Sequence, residues 1–293
     1  MKASNLSSGG TYSFLFKGPF GFGKTLAAAS FALEGPVYIS YWDKKSPVEL
    51  VTFFTEKRFG SLAKKILDNI EYDVYGPSNA ADYLNKMIGW QDNCRYFAII
   101  NDSLTFMTAA AVNWSMNFGK DPKIKKKMKD VLPSWDEYKV ETSLITQCLD
   151  LSKLLTAHVI WTAHPLPTTK VEGSGSSINV SKINSLVSYG SKVAGIVPGS
   201  FTEIYHFTQR SNWGEGKSSK QYIVSTEAIG DEFAKSPLLG DFVKEFDITD
   251  RLFYQVWKEL LDKSRGIEPK VVEPENPNEL VNPFENRGGS WKV

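Results

Sequence analysis

The chain has 293 residues, of which 42% are hydrophobic and 23% charged, and its formal net charge is +1. This length suits one large α/β domain with a small appendage, and the near-neutral balance means that any basic nucleic-acid site must be local. The chain has two cysteines without pair or metal-ligand spacing, three scattered histidines and no apolar run of 18 residues. These features exclude a disulfide scaffold, a zinc centre and a membrane span, and they predict a cytoplasmic protein.

The first predicted elements are a strand, a loop and a helix in immediate succession. Residues 12–16 form an apolar strand-like run, and an alanine-rich helix is predicted over 26–34. Between them stands a complete G-x-x-x-x-G-K-[ST] motif: Gly18, Pro19, Phe20, Gly21, Phe22, Gly23, Lys24 and Thr25. In this context backbone N–H groups cradle phosphates, Lys24 reaches the β/γ-phosphates and Thr25 offers its hydroxyl to Mg²⁺. The motif therefore predicts a nucleoside triphosphate site; the alternative is a chance glycine-rich turn.

Short apolar runs then alternate with helical patterns, which is typical of a mostly parallel sheet flanked by helices. The strands are predicted over 37–42, 71–75, 96–100 and 157–163. The helices are predicted over 47–59, 62–70, 80–93 and 137–156. This alternation predicts an α/β fold.

The pattern changes after the last of these strands. Residues 166–185 are rich in glycine and serine and predict a loop with little strand. Two runs, 202–209 and 221–226, predict a hairpin across the polar segment 211–220, and a final amphipathic helix is predicted over 247–263.

The composition shifts again near the C-terminus, where prolines and glutamates accumulate and apolar content falls. We therefore expect one domain over residues 1–265 and a flexible tail over 266–293. Such a tail either docks a protein partner or only solubilises the chain.

A phosphate loop needs a carboxylate on a neighbouring strand to hold the water shell of Mg²⁺. Asp102 fits this role because it follows the apolar run 97–100 and Asn101. The alternative is an ordinary aspartate in a turn at the end of a strand. Because Ser103 and not glutamate comes next, the carboxylate that activates water must come from elsewhere.

Two further residues at predicted strand ends are candidates for the chemistry. Asp43 follows the strand over 37–42, where ligand-facing groups collect in open α/β sheets, and could act as the base that polarises water. The alternative is a solvated loop aspartate. His164 ends the strand over 157–163 and could hydrogen-bond the γ-phosphate or its attacking water; otherwise it only bonds backbone.

Together these motifs resemble the RecA-type P-loop ATPase family over residues 10–230. The run 97–103 is similar to that family's second nucleotide motif, and residues 39–43 resemble the strand that ends in its catalytic glutamate, here Asp43. His164 falls where the family carries a polar sensor ahead of a mobile DNA-binding loop, and residues 189–192 through 204–205 resemble the helix and strand that follow. The chain is most similar to phage-encoded RecA-like ATPases of the single-strand-annealing type.

The resemblance implies a RecA-like core, ATP and Mg²⁺ as cofactors, a homo-oligomer, and two loops that line a path for single-stranded DNA. In the first loop, six lysines and one aspartate give a local charge of +5: Lys120, Lys123, Lys125, Lys126, Lys127 and Lys129. Lysines bind phosphate without reading bases. The second loop contributes Lys170 and Lys182. The alternatives are a solvated lysine face and an idle surface loop.

The resemblance also implies a cation that enters the active site of a neighbouring subunit and stabilises the charge of the transition state. Arg210, at the end of the predicted strand over 202–209, is the candidate, with Lys217 or Lys220 in the following turn. The alternative is that these cations only keep the hairpin soluble.

These expectations combine into an ATP-hydrolysing RecA-type protein that acts on single-stranded DNA in phage-type recombination, annealing or replication, in the cytoplasm of a bacterial host. One alternative is a ring-forming DNA motor, either a helicase or a packaging ATPase. Another is a nucleotide-gated scaffold that does not bind nucleic acid, and a weaker one is a small-molecule kinase.

Overall fold

A computed structural model describes residues 10–43, 46–117, 135–172, 179–186, 196–214, 217–228 and 234–267. Four regions singled out in the sequence lie outside these residues: the lysine tract 120–129, the glycine- and serine-rich run 173–177, the run 189–192, and the tail from residue 268 onward.

A sheet of eight strands organises the described chain, and its central strands are mostly apolar and buried on both faces. The strands are β1 (Ser13–Lys17), β2 (Val37–Tyr41), β3 (Ile70–Val74), β4 (Ala98–Asp102), β5 (His158–Ala163), β8 (Glu203–Gly214), β9 (Lys217–Ser225) and β10 (Glu245–Asp247). A separate antiparallel pair consists of β6 (Pro165–Glu172) and β7 (Asn179–Leu186).

The spatial order of the large sheet is β10-β9-β8-β1-β5-β4-β2-β3. All pairings from β8 to β3 are parallel, whereas β9 and β10 add antiparallel strands at one edge. In this order β5 lies between β1 and β4, so the strand that leads into the phosphate loop is separated by one strand from the strand that ends in Asp102.

Helices cover both faces of the sheet. They are α1 (Lys24–Ala29), α2 (Val48–Phe53), α3 (Glu56–Phe59), α4 (Ser61–Asp68), α5 (Ala80–Gly89), α6 (Leu104–Asn117), α7 (Trp135–Ser152) and α8 (Phe253–Ser264), with a 3₁₀ turn (Ser30–Leu33) that extends α1. None of the helices in the described segments has the length and hydropathy that crossing a bilayer requires.

Alternation along β1 divides the hydrophobic interior into two layers. Phe14 and Phe16 pack on one face with residues of α1 and α8, whereas Leu15 packs on the other face in the layer that includes α5 and α7. The fold is therefore a sheet between two helical layers, with the ends of the parallel strands left to carry a site.

The α/β class with a mostly parallel sheet, a C-terminal hairpin and a final helix is confirmed, but two predicted loops were wrong. The segment 166–185 was predicted to contain little strand, yet β6 and β7 occupy most of it, because β-branched residues flank the central glycines and serines. The polar segment 211–220 was predicted as a turn, yet β8 continues to Gly214 and β9 begins at Lys217.

Two predicted helices also needed correction. The helix predicted over 47–59 is two short helices, α2 and α3, because Thr55 adopts an extended conformation between them. The helix predicted from residue 247 begins only at Phe253, because Asp247 belongs to β10 and its carboxylate accepts a bond from the backbone N–H of Thr249.

Candidate nucleotide and metal site

The phosphate loop connects β1 to α1 at the carboxyl end of the parallel strands. Glycine is required at its first position, since a Cβ on Gly18 would lie 2.5 Å from the backbone oxygen of Phe207. Gly23 has φ of +85° directly before α1, a left-handed conformation that other residues rarely adopt. These glycines bring the chain sharply from strand to helix, which turns backbone N–H groups toward the space above the loop.

The side chain of Lys24 is buried and folds back over the loop. Its ammonium donates to the backbone oxygens of Gly18, at 2.7 Å, and Pro19, at 2.8 Å. It also lies 3.2 Å from Nδ1 of His164, which accepts when the ring is neutral and its proton is on Nε2. Two loop oxygens and the His164 ring thus hold the buried ammonium of Lys24, and an incoming phosphate would compete with them for it.

Thr25 and Asp102, predicted as the metal site, are in direct contact. The Thr25 hydroxyl donates to Oδ2 of Asp102 at 2.9 Å, and the hydroxyl of Thr162 donates to Oδ1 at 2.5 Å. Asp102 is only 3% exposed. A hydroxyl and a carboxylate are the oxygen ligands that Mg²⁺ prefers, so this donor set fits the ion. Sequence reasoning missed Thr162, since a threonine within an apolar strand gives no signal until its neighbour is known.

Asp43 lies two residues beyond β2, exposed at the same end of the sheet. The backbone N–H of its neighbour Trp42 donates to the backbone oxygen of Asp102 at 2.8 Å, which ties the two strand ends together. The hydroxyl of Tyr41 has its pKa raised, first by burial and then by the charges of Glu49, Asp102 and Asp43. Carboxylates therefore gather around this strand end, and Glu49, on α2, is one that sequence reasoning missed.

His164 lies directly after β5 and is buried beneath the tip of the phosphate loop. The ring of Phe20 stacks on it with centroids 3.6 Å apart and planes at 15°, and Phe106 meets it edge-on. The backbone N–H of His164 donates to the hydroxyl of Thr105 at 3.0 Å. The strand β6 begins at the next residue. His164 therefore connects two parts of the molecule: the phosphate loop, which contains Lys24, and the start of the small hairpin.

Arg210 and the two lysines considered with it lie elsewhere than predicted. Arg210 is inside β8, opposite Gln221, and its guanidinium forms two bonds with the Glu245 carboxylate, at 2.8 and 2.6 Å. This pairing raises the pKa of Arg210 and lowers that of Glu245. Lys217 and Lys220 belong to β9 and not to a turn.

The residues predicted to bind nucleic acid are only partly described. Lys170 lies in β6 opposite Ser181, and Lys182 lies in β7 opposite Thr169, so the two lysines are on paired strands of one hairpin. The six lysines of the tract 120–129 lie outside the described residues.

A cavity of about 210 Å³ opens beside the phosphate loop. Its lining comes from separate parts of the chain: Gly21, Gly23, Leu26, Ala27, Phe53, Arg58, Tyr222, Ile248, Thr249, Arg251, Leu252 and Phe253. The Arg58 guanidinium lies 4.0 Å from the centre of the Phe53 ring, and Nη2 of Arg58 is 3.4 Å from the backbone oxygen of Thr249. Sequence reasoning missed these residues, which no motif connects.

The strand order and the loop define the class: this is an α/β protein with a mostly parallel sheet and a phosphate-binding-loop motif between β1 and α1. No protein-family model matches the chain, and no curated protein matches it significantly.

Among solved structures, the chain is similar to a KaiC-like protein from Pyrococcus horikoshii OT3, with 13% identity and a TM-score of 0.41 over 73% of this chain and 77% of that one. It is also similar to the flagellar accessory protein FlaH from Methanocaldococcus jannaschii, with 14% identity and a TM-score of 0.38 over 73% and 76%.

Proposed function

We propose that the chain is a Mg²⁺-dependent ATPase of the RecA type that acts on single-stranded DNA as a homo-oligomer. One observation carries the enzymatic part: the Lys24 ammonium and the Thr25–Asp102 pair lie at the same glycine loop, although Asp102 is 77 positions from Thr25. A buried cation and an oxygen donor pair at a nest of backbone N–H groups form a site for a triphosphate with its metal.

The chain's own residues have distinct tasks in this proposal. Lys24 exchanges its loop oxygens for the β- and γ-phosphates, and the oxygens of Thr25 and Asp102 would hold Mg²⁺. When bound, the ion neutralises charge on the phosphate oxygens. Asp43 accepts the proton of the attacking water, and His164, released from Lys24, donates its Nε2 proton toward the γ-phosphate.

The cavity beside the loop is where we place the nucleoside. It adjoins Gly21 and Gly23, so a nucleotide whose phosphates occupy the loop can extend its base and ribose into it. The guanidinium of Arg58 is planar and already rests on Phe53, which suits stacking against a flat base.

The test of the enzymatic part is release of inorganic phosphate from ATP by the full chain, compared with Lys24→Ala. Removing the ammonium should lower turnover at least a hundredfold, because transition-state charge loses its nearest cation. The control is Lys139→Ala on α7, which removes a lysine whose ion pair with Asp136 is exposed. Equal loss in both variants, or none in Lys24→Ala, would contradict the proposal.

Support for DNA comes from the local charge of the tract 120–129 in a chain of net charge +1. We expect single-stranded DNA to stimulate ATP turnover, and a Lys125→Glu, Lys126→Glu, Lys127→Glu variant to keep basal turnover but lose the stimulation. Lys64→Glu with Lys65→Glu, which reverses exposed charges on α4, is the matched control. Full stimulation of the triple variant would rule out the tract as the DNA contact.

The oligomer and the role of Arg210 across subunits can be tested together. Lys24→Ala keeps its Arg210, and Arg210→Ala keeps its Lys24, so mixing the two inactive variants should restore part of the activity if Arg210 acts in a neighbouring site. Sedimentation with and without ATP measures assembly directly. If activity is not restored, Arg210 does not act in a neighbouring site and only forms its ion pair with Glu245.

A further inference from the structure

Thr162 is a buried threonine at a position where the sheet would accept valine. It lies in β5, is 0% exposed, and follows Trp161, whose partner in register on β4 is Asn101. The next residues on these two strands are therefore Thr162 and Asp102, and their side chains meet at 2.5 Å. A buried hydroxyl costs free energy unless it is hydrogen-bonded, and this one is bonded to the carboxylate of the metal site.

The proton arrangement around Asp102 follows from its two contacts. An ionised carboxylate only accepts hydrogen bonds, so both hydroxyls donate: Thr25 to Oδ2 and Thr162 to Oδ1. The single proton of Thr25 is thereby committed to Asp102, which leaves the lone pairs of the hydroxyl oxygen as the part of Thr25 that can bind a cation. Two donors on two different elements, α1 and β5, hold the plane of the carboxylate in one orientation.

We propose that Thr162 is a positioning residue for Mg²⁺: it orients Asp102 so that the carboxylate and the Thr25 oxygen face the ion together. The proposal rests on the function proposed above and extends it to a residue that no nucleotide motif contains. It also gives β5 two tasks, since Thr162 contacts the carboxylate on the metal side and His164, two residues later, contacts Lys24.

The test is the Mg²⁺ dependence of nucleotide binding, measured by calorimetry with the non-hydrolysable analogue AMP-PNP. Thr162→Val keeps the shape and removes the donor. We expect it to raise the Mg²⁺ concentration for half-maximal tightening about tenfold, as is usual when a partner of a metal-binding carboxylate is lost. Affinity for AMP-PNP in EDTA should stay within about twofold, because Lys24 and the loop are unchanged. Thr162→Ser should restore the wild-type Mg²⁺ dependence.

The matched control is Thr208→Val on β8, where the threonine hydroxyl is 3.4 Å from the backbone oxygen of Ile223 and has no contact with Asp102. It should leave the Mg²⁺ dependence unchanged. A folded Thr162→Val protein with the wild-type Mg²⁺ dependence overturns the proposal. If that variant does not fold, Thr162→Cys takes its place: its weakly donating thiol should raise the Mg²⁺ requirement, and a wild-type requirement overturns the proposal equally.

The same measurements separate this proposal from the function on which it rests. If the wild-type chain binds AMP-PNP no more tightly with Mg²⁺ than in EDTA, the proposed ATPase site fails. If the wild-type chain does bind more tightly with Mg²⁺ and Thr162→Val behaves identically, only the role of Thr162 fails.

Discussion

The candidate site has a phosphate end, at the loop 18–25 with Asp102, and a proposed nucleoside end, at the cavity lined by Arg58, and the two are built differently. At the phosphate end, charged and polar groups are buried and satisfy one another: Lys24 is held by loop oxygens and His164, and Asp102 by two threonines. At the nucleoside end, the lining is largely apolar and open, with Arg58 resting on Phe53. The first arrangement supplies charge at fixed positions, which suits chemistry, whereas the second supplies shape and a flat surface, which suits selection of the ligand.

The largest expected effect comes from breaking the phosphate end at its carboxylate. Asp102→Asn keeps the shape but removes the charge that attracts the metal, so ATP turnover should fall at least a hundredfold. AMP-PNP binding in EDTA should be retained, because the loop and Lys24 remain. Phosphate release and calorimetry measure the two quantities. Loss of binding in EDTA would mean that Asp102 supports the loop itself and not the metal.

The next effect comes from the nucleoside end. Arg58→Ala should weaken AMP-PNP binding about tenfold, because the base loses a stacking partner. Tripolyphosphate, which has no base, should bind equally well to the variant and the wild type. Competition against a fluorescent nucleotide measures both ligands, and Lys57→Ala, one residue earlier and exposed, is the matched control. Equal weakening of tripolyphosphate would show that Arg58 acts through charge and that the two ends are not separate.

A smaller change should follow from loosening the aromatic contact over His164. Phe20→Leu keeps most of the volume but removes the ring that stacks on the imidazole, a contact worth about 1 kcal/mol. Since His164 helps to hold Lys24 away from the phosphate position, nucleotide affinity should rise about threefold if part of that energy is released. Calorimetry detects the change, and Phe20→Tyr, which keeps a ring, should match the wild type. Weaker binding by Phe20→Leu would indicate that the stack supports the bound state instead.

The smallest effect on the candidate site is expected from substitution of Glu203, a buried carboxylate that lies away from both the phosphate end and the nucleoside end. It accepts bonds from the hydroxyls of Tyr205 and Ser236, and burial raises its pKa. Because the pKa of Glu203 is higher in the folded state than in the unfolded state, the wild type loses stability as pH rises from the ordinary glutamate range to the raised value. Glu203→Gln keeps an acceptor and removes this loss, so it should be more stable by about 1 kcal/mol at pH 8 and no more stable at pH 4.

Thermal or urea unfolding at the two pH values measures the difference, and AMP-PNP affinity should be unchanged in Glu203→Gln. A stability gain of the same size at both pH values would show that the effect does not come from ionisation of Glu203.

Much of the fold follows from local pattern. The strands over 37–42 and 71–75 were predicted within a residue or two, since β2 and β3 are short apolar or alternating runs between clear breaks. The hairpin of β6 and β7 was missed, because glycine and serine at its centre concealed the β-branched residues on either side. The strands β8 and β9 were predicted too short, because their polar ends resemble a turn until the pairing of the two strands is known.

The candidate site divides in the same way. The loop 18–25 was predicted complete, because its function depends on backbone conformation that glycines specify within eight consecutive residues. The partnership of Asp102 with Thr25 was predicted from strand-end position. Thr162, Glu49 and the lining of the nucleoside cavity were not predicted, because each is an ordinary residue whose meaning depends on a neighbour that is distant along the chain.

The amino-acid sequence by itself thus predicted the ligand class, and it determined the alternation of strands and helices and which strand ends carry polar groups, all of which depend on near neighbours. Only the tertiary structure decided that β5 lies between β1, which leads into the loop, and β4, which ends in Asp102. That order brings Thr162 into contact with the Asp102 carboxylate. It also brings His164 into contact with the ammonium of Lys24, which is 140 positions away along the chain. The physical reason is that strand order is chosen by how buried faces pack across the whole sheet, a free energy to which no single segment contributes alone.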